Sequence, residues 1–143
     1  MIGVVLATHG ELGMALIAAM EMILGRQERV TALSLQIADR IEDATARLQS
    51  ALEAADEGEG ALVLTDMLGG TPSNLCLALI GGPRPVEVIS GANLPMLLKA
   101  VQVRREAGLQ ECAAQVKKVG RGAIILASEA LSSPAVQGGG ARS

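Results

Sequence analysis

The only histidine of this 143-residue chain, His9, directly follows the apolar run Ile2–Ala7 and Thr8. Such a run is typical of a buried strand, and Gly10 and a stretch with helical spacing come after it. In a parallel α/β domain, ligands bind at the edge where the strands end. An imidazole at this edge can serve as a base or as a nucleophile. Because a lone histidine is more often structural than reactive, the rest of the chain has to decide between the two interpretations.

A second group of reactive or anion-binding residues follows the apolar run 61–64, namely Asp66 and then Gly69-Gly70-Thr71-Pro72. A carboxylate that accepts a hydrogen bond from one imidazole nitrogen fixes the tautomer and leaves the other nitrogen as a nucleophile. The glycines let backbone N–H groups approach a ligand, and Thr71-Pro72 is typical of a helix N-cap followed by N1. Two helix amino termini near one imidazole favour an anion such as a phosphoryl group. Ordinary turn and cap chemistry is the alternative for each motif alone.

The elements that must position these residues alternate along the chain. Short apolar runs separated by segments of helical spacing predict one α/β domain with a mainly parallel sheet and helices on both faces. The predicted strands are 2–7, 30–35, 61–64, 86–89 and a last apolar segment, 123–127. The predicted helices are 12–24, one from Asp39 with Glu42 as a capping box, 71–80, 93–104 and 109–119. A doubly wound sheet commonly has the order 2-1-3-4, which would make His9 and Asp66 face each other. We expect this domain to span residues 1–128 and residues 129–143 to form a short disordered tail.

Composition excludes several classes of function. The chain has no Phe, Tyr or Trp and a net charge of −3, so it lacks the stacking platforms and the basic face that nucleic-acid binding needs. No apolar stretch is long enough to cross a bilayer, and no basic leader precedes the first strand. Cys76 and Cys112 are predicted to be buried thiols, which indicates a reducing cytoplasm.

Other kinds of site lack their residues. One histidine and two separated cysteines do not make a zinc site, so we expect neither a metal nor a cofactor. Neither a phosphate-binding P-loop nor a dinucleotide fingerprint is present. Ser73, Ser90 or Ser128 could pair with His9 in a hydrolase, but no Gly-x-Ser-x-Gly elbow occurs, which disfavours that function.

Three segments together resemble a known family: 8–10 (Thr-His-Gly), 66–74 (Asp-Met-Leu-Gly-Gly-Thr-Pro-Ser-Asn) and 91–97 (Gly-Ala-Asn-Leu-Pro-Met-Leu). They look like the mannose-class IIA component of the bacterial phosphoenolpyruvate-dependent sugar phosphotransferase system. The resemblance covers nearly the whole chain, and the second segment is the most specific. A related branch that donates phosphoryl groups to dihydroxyacetone kinase is less similar over 68–72.

The resemblance implies a cytoplasmic phosphotransferase component that works through a phosphohistidine. It implies that His9 accepts a phosphoryl group from the phosphocarrier protein HPr, that Asp66 orients it, and that Gly70 and Thr71 contact the phosphoryl oxygens. The group would then pass to a IIB partner and indirectly to a membrane permease for sugar uptake. Family members are homodimers in which a carboxy-terminal strand, here Ala123–Ala127, crosses antiparallel to the other subunit.

Further expectations concern the extent of the protein, its role and its partner contacts. Many relatives continue through a linker into a IIB domain, whereas this sequence stops soon after its last predicted strand, so we expect a free-standing IIA component. The alternative function is a regulatory module in which the phosphorylated histidine is a signal and no sugar is moved. Met14, Met22, Met67 and Met96 are candidates for contacts with partner proteins, although for Met22 and Met96 a place in the core is the favoured interpretation.

Overall fold

The structure is a computed structural model that describes residues 1–67 and 71–132, apart from the side chain of Ser73. Its described residues form a parallel four-stranded sheet in the order β2-β1-β3-β4. This confirms the predicted fold class and strand order. The strands are β1 (Gly3–His9), β2 (Val30–Leu35), β3 (Ala61–Thr65) and β4 (Val86–Ser90). The helices are α1 (Leu12–Leu24), α2 (Ile41–Ala55), α3 (Thr71–Leu77), α4 (Leu94–Val103), α5 (Leu109–Gly122) and α6 (Ala127–Leu131).

Alternate residues of the two central strands pack on opposite faces of the sheet, as the period of two in a strand requires. Val4 and Leu6 of β1 lie in a core formed with α1, α4 and α5. Val5 and Ala7 lie in a second core formed with α2 and α3. Both faces of β1 and β3 are therefore covered, which explains why their sequences are continuous apolar runs.

The packing of α2 against the start of β1 is close enough to require glycine. A Cβ added to Gly3 would lie 2.4 Å from the carbonyl oxygen of Ala55, the last residue of α2. The absence of a side chain at Gly3 thus lets the end of α2 lie directly on β1.

The predicted strand over Ala123–Ala127 is wrong for the single chain. Helix α5 continues to Gly122, Ala123 caps it, and residues 124–126 have no regular structure before α6 begins at Ala127. A strand needs a neighbour for its backbone hydrogen bonds, and the described sheet consists of β1 to β4. Pairing of this segment with a second subunit stays a prediction.

Three smaller differences concern element ends. Helix α2 begins after Arg40, and Asp39 accepts a hydrogen bond from the backbone N–H of Gln36 (2.7 Å), so the predicted capping box is not formed. Helix α3 ends at Leu77, and turns replace the predicted last three residues. Of the predicted disordered tail, residues 129–131 belong to α6, whereas 133–143 lie outside the described residues.

No helix in the described part of the chain is both long and apolar enough to span a membrane.

Candidate functional site

The carboxyl ends of the central strands β1 and β3 bring the predicted site residues together. His9 is the last residue of β1, and Asp66 directly follows the last residue of β3, Thr65. The two strands pair in parallel with Ala7 opposite Thr65, so β1 and β3 end on the same side of the sheet, with His9 two residues beyond the last β1–β3 pair. This is the switch point of the 2-1-3-4 order, where the connections leave for opposite faces.

One oxygen of Asp66 holds His9 at two points. Oδ2 lies 2.9 Å from the ring Nδ1 and accepts a hydrogen bond from the backbone N–H of His9 at 3.0 Å. The other oxygen, Oδ1, accepts from the backbone N–H of Met67 at 3.0 Å. The carboxylate is therefore fixed relative to both strand ends, and it fixes the imidazole in turn.

The hydrogen bonds around Asp66 keep its carboxyl group ionised. Burial alone raises its pKa, but the hydrogen bonds from the backbone and ring of His9 outweigh burial, and the net effect is a pKa below the ordinary value. At neutral pH the group is a carboxylate, which can only accept hydrogen bonds.

An ionised acceptor at Nδ1 determines the tautomer of His9. Nδ1 must carry the proton that Asp66 accepts, so in the neutral ring Nε2 carries the lone pair. The His9 side chain is 45% exposed, against 13% for Asp66, and Nε2 has no hydrogen bond within residues 1–67 and 71–132. The arrangement presents an accessible nitrogen nucleophile on an oriented ring.

The turn after His9 is held by contacts that the sequence analysis did not predict. Gly10 has a φ of +53°, a conformation that favours glycine. Its N–H donates to the Leu35 carbonyl (2.9 Å), and its carbonyl accepts from the Ser34 hydroxyl (2.5 Å). The buried hydroxyl of Thr8 accepts from the Gly13 N–H in the first turn of α1 (2.8 Å). The predicted pairing of β1 with β2 is the one feature of the sequence analysis that could have pointed to Ser34.

A polar network extends outward from Ser34. Arg47 of α2 donates to the Ser34 carbonyl (2.7 Å) and forms an ion pair with Asp39 (3.3 Å). Gln36 donates from its side chain to the Ser34 hydroxyl (3.1 Å). The end of β2 is therefore braced against α2, and the Gly10 turn is braced against β2.

Of the remaining predicted site residues, Thr71 is described by the structure and Gly70 is not. Thr71 is exposed and is the first residue of α3, five positions after Asp66, and Pro72 is the second residue of that helix. Gly70 lies outside the described residues. A hydrogen bond between the Thr65 and Ser90 hydroxyls (2.9 Å) ties the end of β3 to the end of β4 on the far side.

The methionines divide differently from the prediction. Met96 is buried as predicted, but Met22 is 89% exposed, so its expected place in the core is wrong. Helix α1 is apolar on nearly all sides and carries a single charge, Glu21. Its periodicity therefore does not distinguish the inward face, which Met20 and Gly13 occupy.

Within the described ranges, no group of three or more histidine, cysteine or acidic side chains could hold a metal ion. Both cysteines are buried and free, and burial raises the pKa of the Cys76 thiol to about 12.

The chain is similar to known proteins over most of its length. The family model EIIA-man, described as PTS system fructose IIA component (PTS, phosphotransferase system), matches residues 3–117. The fructose-specific EIIA component of Bacillus subtilis (strain 168) is 28% identical over 131 residues, 92% of this chain and 90% of that protein. The mannose-specific EIIAB component of Escherichia coli (strain K12) is 32% identical over 103 residues, 72% of this chain and 32% of that protein. This chain thus matches only about a third of the EIIAB relative.

Solved structures show the same likeness. The crystal structure of the phosphotransferase system component EIIA from Streptococcus agalactiae superposes with a TM-score of 0.82 at 30% identity, covering 90% of this chain and 99% of that one. A family match over most of the chain, with the same fold in a solved member, establishes the conclusion: the chain belongs to the EIIA-man family of PTS IIA components.

Proposed function

We propose that this protein is a phosphocarrier that accepts a phosphoryl group from phosphorylated HPr on Nε2 of His9 and passes it to a IIB partner during sugar uptake. The observation that carries the proposal is that Asp66 Oδ2 accepts hydrogen bonds from both the ring Nδ1 and the backbone N–H of His9. It leaves Nε2 as the nucleophile of a half-exposed ring.

The proposed step is a direct exchange of bonds at phosphorus. The Nε2 lone pair attacks in line with the bond between phosphorus and the HPr nitrogen, and that bond breaks as the new one forms. The electron pair of the broken bond returns to the HPr nitrogen. In the second transfer a nucleophile of IIB attacks the phosphorus, and the electron pair returns to Nε2 of His9.

Asp66 supports this exchange electrostatically. As Nε2 bonds to phosphorus, the ring becomes a cation that still carries its Nδ1 proton. The hydrogen bond to Asp66 then joins a cation to an anion, which is the stronger, charge-assisted kind. Because this gain grows as the ring becomes positive, it stabilises the transition state more than the ground state.

The phosphoryl oxygens need donors as well. We assign this role to Gly70 and Thr71, whose backbone N–H groups and hydroxyl follow the Asp66 turn. The exposed position of Thr71 at the start of α3 supports its assignment. Helix α3 has only seven residues, so these individual donors matter more than its dipole.

Partner recognition has to use a surface that accepts HPr and IIB in turn. Met14 in the first turn of α1 and Met67 beside Asp66 are 45% and 56% exposed. Flexible methionine side chains suit a surface that contacts two proteins. We expect the protein to act in the cytoplasm and to reach the permease only through IIB.

We also propose that two copies of the chain associate through the segment after α5. Ile124, Ile125 and Leu126 are 80%, 53% and 62% exposed. Three consecutive exposed apolar residues indicate an association surface. Light scattering should give twice the monomer mass, and Ile124→Asp with Leu126→Asp should give monomers.

The function is tested by labelling. Incubation with ³²P-phosphoenolpyruvate, enzyme I and HPr should place one acid-labile phosphoryl group on the chain, and His9→Ala should take up none. Equal labelling of His9→Ala would refute the site. Addition of a mannose-class IIB component should remove the label, and retention of the label would contradict the transport role and favour the regulatory one.

A further inference from the structure

A cavity of about 630 Å³ lies near the amino-terminal end of β4, whereas His9 lies at the carboxyl-terminal end of β1. Its walls are the last turns of α2 and the connection from α3 to β4, and Val86, the first residue of β4, lies in its floor. Strands of five residues separate the two ends by about 16 Å. The cavity is therefore separate from the phosphoryl site, and its volume is within the usual range of small-molecule sites.

The lining of the cavity combines an apolar wall with a fixed ion pair. Leu52, Leu79 and Val86 supply apolar surface. Asp56 forms an ion pair with Arg84 at 2.7 Å and is only 8% exposed. Its other oxygen accepts from two backbone N–H groups of the following turn, at 2.7 and 2.9 Å. The acceptor oxygens of Asp56 are thus occupied, and the charge of Arg84 is balanced.

Glu53 differs from this pair because its carboxylate is exposed and has no ion-pair partner in the described part of the chain. With the Asp56–Arg84 pair neutral, Glu53 leaves the lining with an excess of one negative charge. An apolar wall next to an unpaired carboxylate matches a ligand with an apolar body and a cationic head.

We propose that this cavity binds small organic amines, with the apolar body between α2 and the α3–β4 connection and the ammonium group at Glu53. The proposal is independent of the phosphocarrier function, because no residue of the His9 site takes part in it.

The lack of Phe, Tyr and Trp in the chain makes an aromatic amine a suitable NMR probe of the cavity. The phenyl ring of 3-phenylpropylamine gives signals and ring-current shifts that do not overlap with those of protein aromatic side chains other than His9. In ¹H–¹³C spectra of the full chain, we expect saturable shifts of the Leu52, Leu79 and Val86 methyl groups at millimolar ligand, with NOEs to the phenyl protons. The neutral 3-phenylpropan-1-ol should bind more weakly, and 3-phenylpropanoate more weakly still.

Two variants test the placement of the ammonium group. Glu53→Gln should weaken binding of the amine by up to about five-fold, the range of an exposed ion pair, and leave the alcohol unchanged. Glu42→Gln, on the first turn of the same helix, is the matched control and should change neither. The proposal is overturned if the amine gives no saturable shifts, if the propanoate binds as tightly as the amine, or if Glu53→Gln leaves the amine affinity unchanged.

Discussion

Replacing Asp66 with asparagine tests the central assignment with almost no change of shape. The amide keeps one oxygen that can accept a hydrogen bond but loses the negative charge. It also gains an NH₂ group that can donate to Nδ1, and a ring held in that way would carry its proton on Nε2. Both changes act against Nε2 as a nucleophile.

The size of the effect follows from the contacts of Oδ2. Hydrogen bonds to charged groups contribute about 1.5 to 3 kcal/mol. If that contribution is lost in the transition state, phosphorylation slows by roughly 10- to 160-fold. A complete switch of tautomer would be more severe, since the same replacement beside the histidine of serine proteases costs about 10⁴-fold.

The assay is the initial rate of ³²P transfer from phospho-HPr to the protein, followed by rapid quenching. Asp56→Asn is the matched control, because Asp56 is likewise a mostly buried carboxylate that accepts two backbone N–H groups. Its replacement should lower the free energy of unfolding, because the ion pair with Arg84 is lost. The transfer rate should stay unchanged, because Asp56 lies at the other end of the strands from His9.

Two results would refute the reasoning. A transfer rate for Asp66→Asn within two-fold of the original chain would remove Asp66 from the chemistry. An equal loss of rate in Asp56→Asn would show that the effect reflects general destabilisation.

Three further predictions concern stability and access. The folded-state pKa of Asp66 is depressed, so its stabilising effect is present above the unfolded pKa of about 4 and is lost as the pH falls through the lowered value. The difference in urea unfolding free energy between the original chain and Asp66→Asn should therefore shrink below pH 4, and growth on acidification would contradict this. Ser34→Ala removes the hydrogen bond to the Gly10 carbonyl, so it should lower the free energy of unfolding by about 0.5–1.5 kcal/mol and slow labelling of the protein. Ser34→Thr keeps the hydroxyl and should restore both. An unchanged labelling rate in Ser34→Ala would exclude a positioning role for Ser34. Cys76 and Cys112 are fully buried, and burial raises the pKa of both, so Ellman's reagent at pH 8 should react with both only after unfolding; immediate reaction would show that the native core opens.

The sheet and the central pair were predictable from the sequence because they rest on strong, local signals. Continuous apolar runs mark strands that are buried on both faces, and the spacing between them leaves room for one helix each. Once the order 2-1-3-4 is assumed, the adjacency of His9 and Asp66 follows from parallel pairing alone.

The features that the sequence did not predict depend on tertiary contacts. Asp39 has the spacing of a helix cap, but its carboxylate instead binds Gln36 and Arg47. Met22 lies on a helix without a polar face, so nothing local marks it as exposed. The bond between Ser34 and Gly10 joins residues 24 positions apart and requires the register of two strands.

The double contact of Asp66 Oδ2 makes the main chain sensitive to the charge of the ring. One oxygen serves two donors, the amide of His9 and its Nδ1. If phosphorylation makes the ring a cation, Oδ2 is drawn towards Nδ1 and its bond to the amide weakens. The chemical shift of the His9 amide then reports whether the ring carries a phosphoryl group, and NMR can follow it without a probe attached to the protein. Loaded and empty carriers would then differ in the backbone hydrogen bonding of His9 as well as in charge.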